Sequence, residues 1–322
     1  MSRVTLERHQ VWCYLTAVLL GLAVGSLWPQ AGDVTGGLVW PVLALLLYAT
    51  FTQMPLTSLP AAFRDSRFLL TALAGNFVVV PVVVWLLVQL TPDEPALRLG
   101  LLLVLLVPCT DWFITFSQLG RADATRATAL TPVTLVVQLL LLPLYLWLMA
   151  DADLTSVLRP GDVWPALLVV LVPLAMAALT EVWATGQERR RSAPERLGRW
   201  PVPLLTVVVG LVAAAHVGAV RDAAHLLPVV VAVAVAHLAV GLVLARLLAG
   251  VARLPSDQGR TLAFSFGTRN SFIVLPVALS LPAGWETAAI VVVMQSLVEL
   301  FGMIFYLWFV PRVLFPDVVE PR

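Results

Sequence analysis

The 322-residue chain contains no lysine, two cysteines and four histidines, and charged residues make up only 12% of it. An ordinary soluble domain carries about 25% charged residues. Half that charge cannot coat a 34.8 kDa protein in water, which argues against a soluble enzyme. The 60% hydrophobic content excludes a disordered chain, which needs low hydrophobicity and high net charge. Cys13 and Cys109 cannot form a disulfide framework. A net charge of +1 offers nothing to a nucleic acid. H-E-x-x-H and G-x-S-x-G are both missing, so the usual signatures of an intramembrane hydrolase are not there. His216 and His237 lie in apolar segments and read as satisfied core groups rather than haem ligands. No enzyme activity and no cofactor are expected.

What remains is apolar sequence, with a mean hydropathy of +0.93. A membrane-crossing helix needs about 20 mostly apolar residues. Runs between polar or Pro/Gly breaks give ten candidate spans: 11–28, 36–55, 67–90, 97–119, 126–149, 163–183, 201–220, 224–249, 258–281 and 284–311. The first follows Arg3 and Arg8 but lacks a small-x-small cleavage site, so it reads as a retained helix rather than a signal peptide. The expectation is an all-α membrane protein, a single integral domain embedded in a lipid bilayer.

Arginine supplies every basic side chain, and its distribution orients the spans. On a ten-span map, sixteen arginines, including the run in the loop 188–199, fall on one side. Arg98, Arg159 and Arg221 fall on the other, and Arg269 lies within a span. The opposite loops carry Asp33, Asp93, Glu94, Asp151, Asp153, Asp162, Asp222 and Glu286. By the positive-inside rule both termini are cytoplasmic, in a multi-pass protein of the cell membrane.

Five spans precede residue 150 and five follow it, so the second half enters from the opposite side. That is the condition for an inverted repeat, with units 1–150 and 151–322. LLVLLVPCTDWF (102–113) and TLAFSFGTRNSF (261–272) each place a helix breaker and a polar cluster in mid-span. Pro108 lacks an amide donor and clashes with the preceding turn, while Gly267 and Thr268 stand at a comparable depth. Irregular backbone survives in a bilayer only when buried in protein or lining a wet cavity. A matched pair of discontinuous helices, the fourth and the ninth, therefore marks the substrate site of a secondary transporter.

Charges at these breaks carry a desolvation cost of about 2.5–3.5 kcal/mol each at mid-membrane. Asp111 and Arg269 are expected to pair there, with Thr110, Asn270 and Ser271 completing their hydrogen bonds. Glu299, one turn after Gln295 on the last span, is a second candidate proton carrier beside Asp111. Gln138 and Asn76 read as interhelical hydrogen-bonding groups. Cys109 follows the break; from its chemistry alone it reads either as a small buried hydrophobe or as a ligand for a thiophilic solute. Cys13 has no expected role.

The matched breaks resemble those of the bile acid:sodium symporter superfamily over nearly the whole chain. PCTDWFITFSQLGRAD (108–123) is similar to the fourth-span motif of its arsenite-efflux branch, through Pro108, Cys109, Thr110, Ser117, Leu119 and Asp123. That resemblance implies a metalloid-contacting thiol at Cys109. GTRNSF (267–272) keeps the Gly and Asn of the family's ninth-span pattern at Gly267 and Asn270. Sodium-coupled members carry E-x-G-x-Q-N there, with the Glu and Gln helping to bind sodium; this sequence has Ser265 and Arg269 instead. A guanidinium cannot lose its proton and repels a cation, so coupling to protons rather than sodium is expected. The arsenite branch usually has a glutamate shortly after the Asn, whereas Ser271, Phe272 and Ile273 follow it here.

The functional expectation is export of arsenite or antimonite in exchange for protons. Cys109, Thr110, Asn270 and Ser271 would contact the solute, and Asp111, Arg269 and Glu299 would couple the exchange. The alternative is cation-coupled uptake of a small organic anion, drawn by Arg269 and by the positive ends of the broken helices.

Overall fold

A computed structural model describes residues 3–28, 30–54, 65–149, 160–185, 197–198 and 200–317. Most of the basic loop 188–199, together with Asp151, Asp153, Arg159 and Arg322, lies outside the described residues. Every regular element among the described residues is helical, and the lone β-bridge joins Pro108 to Arg269.

The first helices are α1 (Arg3–Leu27) and α2 (Ala31–Phe51). α3 (Ser66–Ala74) continues through a π-helical turn, Gly75–Val79, into α4 (Val80–Gln89). α5 (Pro95–Leu105) and α6 (Trp112–Leu119) flank the first break, and α7 (Ala124–Met149) follows. α8 (Pro160–Thr185), α9 (Pro201–Ala215), the short α10 (Val217–Asp222) and α11 (Leu227–Val251) come next. α12 (Ser256–Gly267) and α13 (Ser271–Leu279) flank the second break. α14 (Glu286–Phe309) runs on into a π-turn, Val310–Leu314.

Among the described residues, five stretches are long and apolar enough to cross a membrane: Val34–Phe51, Ser66–Gln89, Ala124–Met149, Val217–Val251 and Glu286–Leu314. Shorter apolar helices, among them Trp12–Leu27, Pro95–Leu105 and Pro201–Ala215, pack between them. Their outer faces expose Leu19, Leu20, Leu140, Trp147, Leu179 and Leu247, as a lipid-facing surface requires.

The helices pack as two groups. α1, α2, α8 and α9 form one, in which α9 lies against both α1 and α2 and α8 lies against α2. Small residues set its closest approach: a Cβ added at Gly21 would fall 2.2 Å from the Gly210 carbonyl oxygen, and one at Gly25 would fall 2.3 Å from that of Ala214. Backbone contact of this kind is how apolar helices associate where no hydrophobic effect drives them together. α3–α7 and α11–α14 form the second group, with α14 packed on α5, α11 and α13. α13 touches α2 and α8, and α14 touches α1, so the two groups meet along α13 and α14.

The polar ends of α3, α7 and α12 are tied together. Asp65 caps α3 through the Phe68 amide and takes Arg126 at 2.8 Å, and Arg126 also pairs with Asp123. Arg260, buried on α12, donates to the carbonyls of Phe315 and Arg121 and to Asp317, which fastens the end of α14 to this face.

Candidate functional site

The two breaks cross. The Cys109 amide donates to the Thr268 carbonyl at 3.1 Å, and the Asn270 amide donates to the Val107 carbonyl at 2.8 Å. These bonds satisfy backbone groups that each interruption leaves without a helical partner, as a low-dielectric interior demands. Asn270 caps α13 by accepting the Ile273 amide, and its Nδ2 donates to Thr110 Oγ1 at 2.9 Å. Thr110, Thr268 and Asn270 are all buried.

Arg269 is 2% exposed. Its guanidinium turns back along α12 and donates to the carbonyls of Ser265 at 3.2 Å and Phe266 at 2.7 Å, and to Leu105 at the end of α5 at 3.4 Å. It also reaches Asn76 Oδ1 at 3.3 Å. One fixed cation thus sits on the carbonyl-rich C-terminal ends of two half-helices, where the macrodipoles favour positive charge. Its backbone amide donates to Glu299 Oε2 at 2.9 Å. Glu299, 1% exposed, also takes Gln295 Nε2 at 2.9 Å, while its Oε1 has no hydrogen-bond partner among the described residues.

The expected ion pair between Asp111 and Arg269 is corrected by this geometry. The guanidinium spends its hydrogen bonds on helix-end carbonyls and on Asn76, none on Asp111. Asp111 is half-buried at the start of α6. The carboxylate that meets Arg269 is Glu299, and it does so at the backbone amide rather than at the guanidinium.

Cys109 is 3% exposed, beside the backbone amides of Asp111 and Phe113 and within electrostatic reach of Glu299 and Asp111. Ser271 stands slightly apart and shares a 2.5 Å hydrogen bond with Ser296 on α14. Both serines line a cavity of about 20 Å³ between the two helix groups, enough for roughly one water. Tyr14 and Trp112 close it; their rings stack at 6.1 Å across the groups, and Trp112 meets Phe272 edge-on at 5.2 Å. Cys109 does not line this cavity. Among the described residues no three His, Cys, Asp or Glu side chains assemble to hold a metal ion.

Three polar groups behave differently from their sequence reading. Asn76 does bridge helices, donating to Ser265 Oγ at 2.8 Å, but it also holds Arg269. The π-turn that carries it presses Gly75 against the Phe266 ring, where a Cβ would fall 2.2 Å away, and Tyr145 donates to the Phe77 carbonyl at 2.5 Å. Such turns interrupt the i→i−4 ladder and recur at functional sites; here the sequence signal is one glycine next to a buried amide. Gln138 has no hydrogen-bond partner for either amide atom among the described residues. His216 meets the Val212 carbonyl, whereas His237, read as a satisfied core group, has no partner on either ring nitrogen among the described residues.

Comparison with known proteins gives the chain its relatives. Human P3 protein is 27% identical over 255 residues, which cover 73% of this chain and 50% of that protein. Mouse P3 protein is 26% identical over 248 residues, covering 73% and 51%. The chain therefore spans about half the length of these curated relatives. A model of the Sodium Bile acid symporter family matches residues 40–220, ending before α11–α14. That match takes in more than half of the chain, and with it this multi-pass membrane protein belongs to the Sodium Bile acid symporter family, whose members are transporters rather than enzymes.

Proposed function

We propose that the chain is a sodium-independent secondary transporter that exports arsenite or antimonite from the cytoplasm in exchange for protons. It does so with ten spans arranged as two inverted five-helix repeats, 1–150 and 151–322, and with both termini cytoplasmic in the cell membrane. The helix limits support this arrangement: three of the ten sequence intervals hold α5–α6, α9–α10 and α12–α13, each divided once, and the other seven each hold one helix, continuous or joined to a π-turn or a 3-10 turn.

The observation that carries the reading is the position of Arg269. Unwound carbonyls and half-helix C-termini are where transporters of this build coordinate a coupling cation. Here a tethered guanidinium that cannot deprotonate already fills that role. A mobile sodium ion has nothing left to neutralise, so coupling passes to an acid. Glu299 is buried beside Arg269 with one carboxyl oxygen unpartnered among the described residues. Ionised, it cancels the guanidinium charge; protonated, it leaves the site cationic. A difference of one charge between two protonation states is what biases one helix group against the other. Asp111, near the same thiol, is the second acid.

Cys109 supplies a soft ligand one residue from the crossing, and trivalent arsenic and antimony prefer sulfur. A single thiol gives weak, reversible capture, as transport requires. Thr110, Asn270 and Ser271 add hydroxyl and amide groups toward a neutral trihydroxide. Separation of the groups at Tyr14 and Trp112 would open the path.

Arsenite uptake into everted membrane vesicles tests the proposal. Uptake is expected to follow an imposed pH gradient, to ignore a sodium gradient, and to be lost in C109S with the protein still folded. Undiminished uptake by C109S removes the thiol from the mechanism. A second reading, uptake of a small organic anion, is favoured by the aromatic and hydroxyl lining of the inter-group cavity, from which Cys109 is absent. Sodium-dependent accumulation of a labelled carboxylate would select that reading.

A further inference from the structure

A carboxyl that carries a proton across a membrane holds it on one of two oxygens, and the surroundings of Glu299 treat the two differently. Oε2 accepts two N–H groups, the Arg269 backbone amide at 2.9 Å and Gln295 Nε2 at 2.9 Å. An oxygen engaged by two donors has no lone pair free for a hydrogen of its own. Oε1, on a side chain that is 1% exposed, has no partner among the described residues.

Gln295 is divided in the same way. Its Nε2 is spent on Glu299, while its Oε1, equally buried, has no partner among the described residues. Turning the amide over would set its oxygen against Glu299 Oε2, an acceptor against an acceptor, so the orientation with Nε2 inward is the one the hydrogen bonds require. Two buried acceptors on neighbouring side chains are thus left without a donor, a costly state in a native interior.

The two orphaned atoms belong together. Gln295 and Glu299 stand four residues apart on one face of α14, where side chains meet, and their head groups are already joined. An amide beside a carboxylic acid can make two parallel hydrogen bonds. The amide N–H donates to one carboxyl oxygen, and the O–H of the other donates to the amide oxygen. The first of these bonds is present. The second lacks only its hydrogen, and one proton on Glu299 Oε1 would give both orphans a partner at once. When that proton leaves, the two Oε1 atoms are acceptors only, and the ionised carboxyl keeps the bonds from Nε2 and from the Arg269 amide.

The ionisable groups near Glu299 are Arg269 from the α12–α13 break, Cys109 from the α5–α6 break and Tyr306, two turns on along α14. Of the other elements packed on α14, α6 and α13 carry no ionisable side chain. Arg98 on α5 is bonded to Asp93, Tyr14 of α1 stacks on Trp112, and Arg221 and Asp222 of α10 are exposed. Arg260 of α12 is held by Asp317, Asp257 of α12 is exposed, Arg246 of α11 stands over Phe315, and His237 of α11 lies beside Phe266 and Arg269.

We infer that Gln295 and Glu299 form a proton-holding amide–carboxyl pair, in which the transported proton sits on Glu299 Oε1 and is donated to Gln295 Oε1. Gln295 is then the positioning residue of the coupling acid. On loading, an O–H bond forms at Oε1 with a proton from water; on release it breaks and the proton returns to water, and nothing is oxidised or reduced. The inference rests on the proton-exchange reading above.

The test is the acid-minus-alkaline infrared difference spectrum of the protein in lipid bilayers, with arsenite-driven proton flux in proteoliposomes measured alongside. Wild type is expected to show a carboxylic C=O stretching band that E299Q abolishes. Q295M keeps the length of the side chain but offers no amide. In it the band should move to higher wavenumber, as for a carboxyl that has lost a hydrogen bond, and flux should fall about tenfold, the effect of one hydrogen bond. Wild type grown on carbonyl-labelled glutamine gives the same answer without a substitution at Gln295: a label-sensitive amide band should change together with the Glu299 band and vanish from the difference spectrum of E299Q. A Glu299 band unmoved in Q295M, wild-type flux in Q295M, or no glutamine band that follows Glu299 overturns the inference and leaves Glu299 as the coupling acid. No carboxylic band lost in E299Q, or wild-type proton flux in E299Q, overturns the proton-exchange reading with it.

Discussion

Replacing Arg269 with glutamine separates a tethered cation from a merely structural arginine. The substitution removes a buried charge that donates to Ser265, Phe266, Leu105 and Asn76 and leaves Glu299 without its cationic neighbour. Leaving two or three buried acceptors without their donor, at about 1–3 kcal/mol each, costs on the order of 3–5 kcal/mol. At roughly 2 °C per kcal/mol for a chain of this size, thermal unfolding in detergent should fall by about 6–10 °C. The vacated carbonyls then form an oxygen-rich pocket with a carboxylate beside it, suited to a small cation. A ligand at ten times its dissociation constant stabilises by about 1.4 kcal/mol. The R269Q variant should therefore regain about 3 °C in NaCl relative to choline chloride at equal ionic strength, and wild type should show no difference. Differential scanning fluorimetry in the two salts reads both effects. Sodium-dependent stabilisation of wild type, or an R269Q protein as stable as wild type and indifferent to sodium, refutes the reasoning.

Other perturbations test the surroundings. Gly21→Val should prevent α1 from seating on α9, because a Cβ there would fall 2.2 Å from the Gly210 carbonyl oxygen; loss of the monodisperse peak in size-exclusion chromatography is the expected result. Tyr145→Phe leaves the Phe77 carbonyl of the π-turn unsatisfied at a cost of about 1–3 kcal/mol, read as a lowered unfolding temperature. Asp65→Ala removes the α3 cap and a partner of Arg126, lowering stability by about 0.5–2 kcal/mol. Burial pushes the Asp65 carboxyl up, but the Phe68 amide and Arg126 together hold it below 3.8. Its contribution is accordingly complete above that value and lost as pH falls below it. The hydrogen bond and charge of Arg260 likewise hold Asp317 below 3.8. Hydrogen exchange in segment 310–317 should stay slow at neutral pH and accelerate under acid conditions below that range.

Much of the framework was legible because the bilayer leaves few choices. Pro108 and Gly267 in otherwise unbroken apolar runs forced interruptions, and the structure ends α5 at Leu105 and α12 at Gly267. The spacing of Gln295 and Glu299 fixed a shared face, and the two side chains hydrogen-bond at 2.9 Å. Side-chain direction was not legible. Asp111 and Arg269 carry opposite signs at similar depth, which suggests a pair, but sequence does not say that α12 ends with two carbonyls facing the guanidinium. The local backbone outbid the distant carboxylate. Asn76 was hidden for a different reason. Its partners Ser265 and Arg269 lie 189 and 193 residues away, and the π-turn that aims it is marked by a single glycine.

A tethered cation changes what can drive transport. A dissociable ion stabilises one conformation by its own binding free energy and releases that bias when it leaves. Arg269 never leaves, so its contacts at the end of α12 add the same term in every state that keeps α12 intact. On the proton-exchange proposal, the driving asymmetry comes from groups whose occupancy changes: the carboxyls of Glu299 and Asp111 and the solute at Cys109. To shift a two-state equilibrium from 1:99 to 99:1 those groups must together favour one state by about 5.5 kcal/mol. A pH difference of one unit across the membrane supplies about 1.4 kcal/mol per proton, so a single proton does not suffice without the membrane potential or solute binding. Two protons would supply about 2.8 kcal/mol, half of that requirement, so on this proposal proton stoichiometry, more than solute affinity, decides how much the membrane potential and the solute must add.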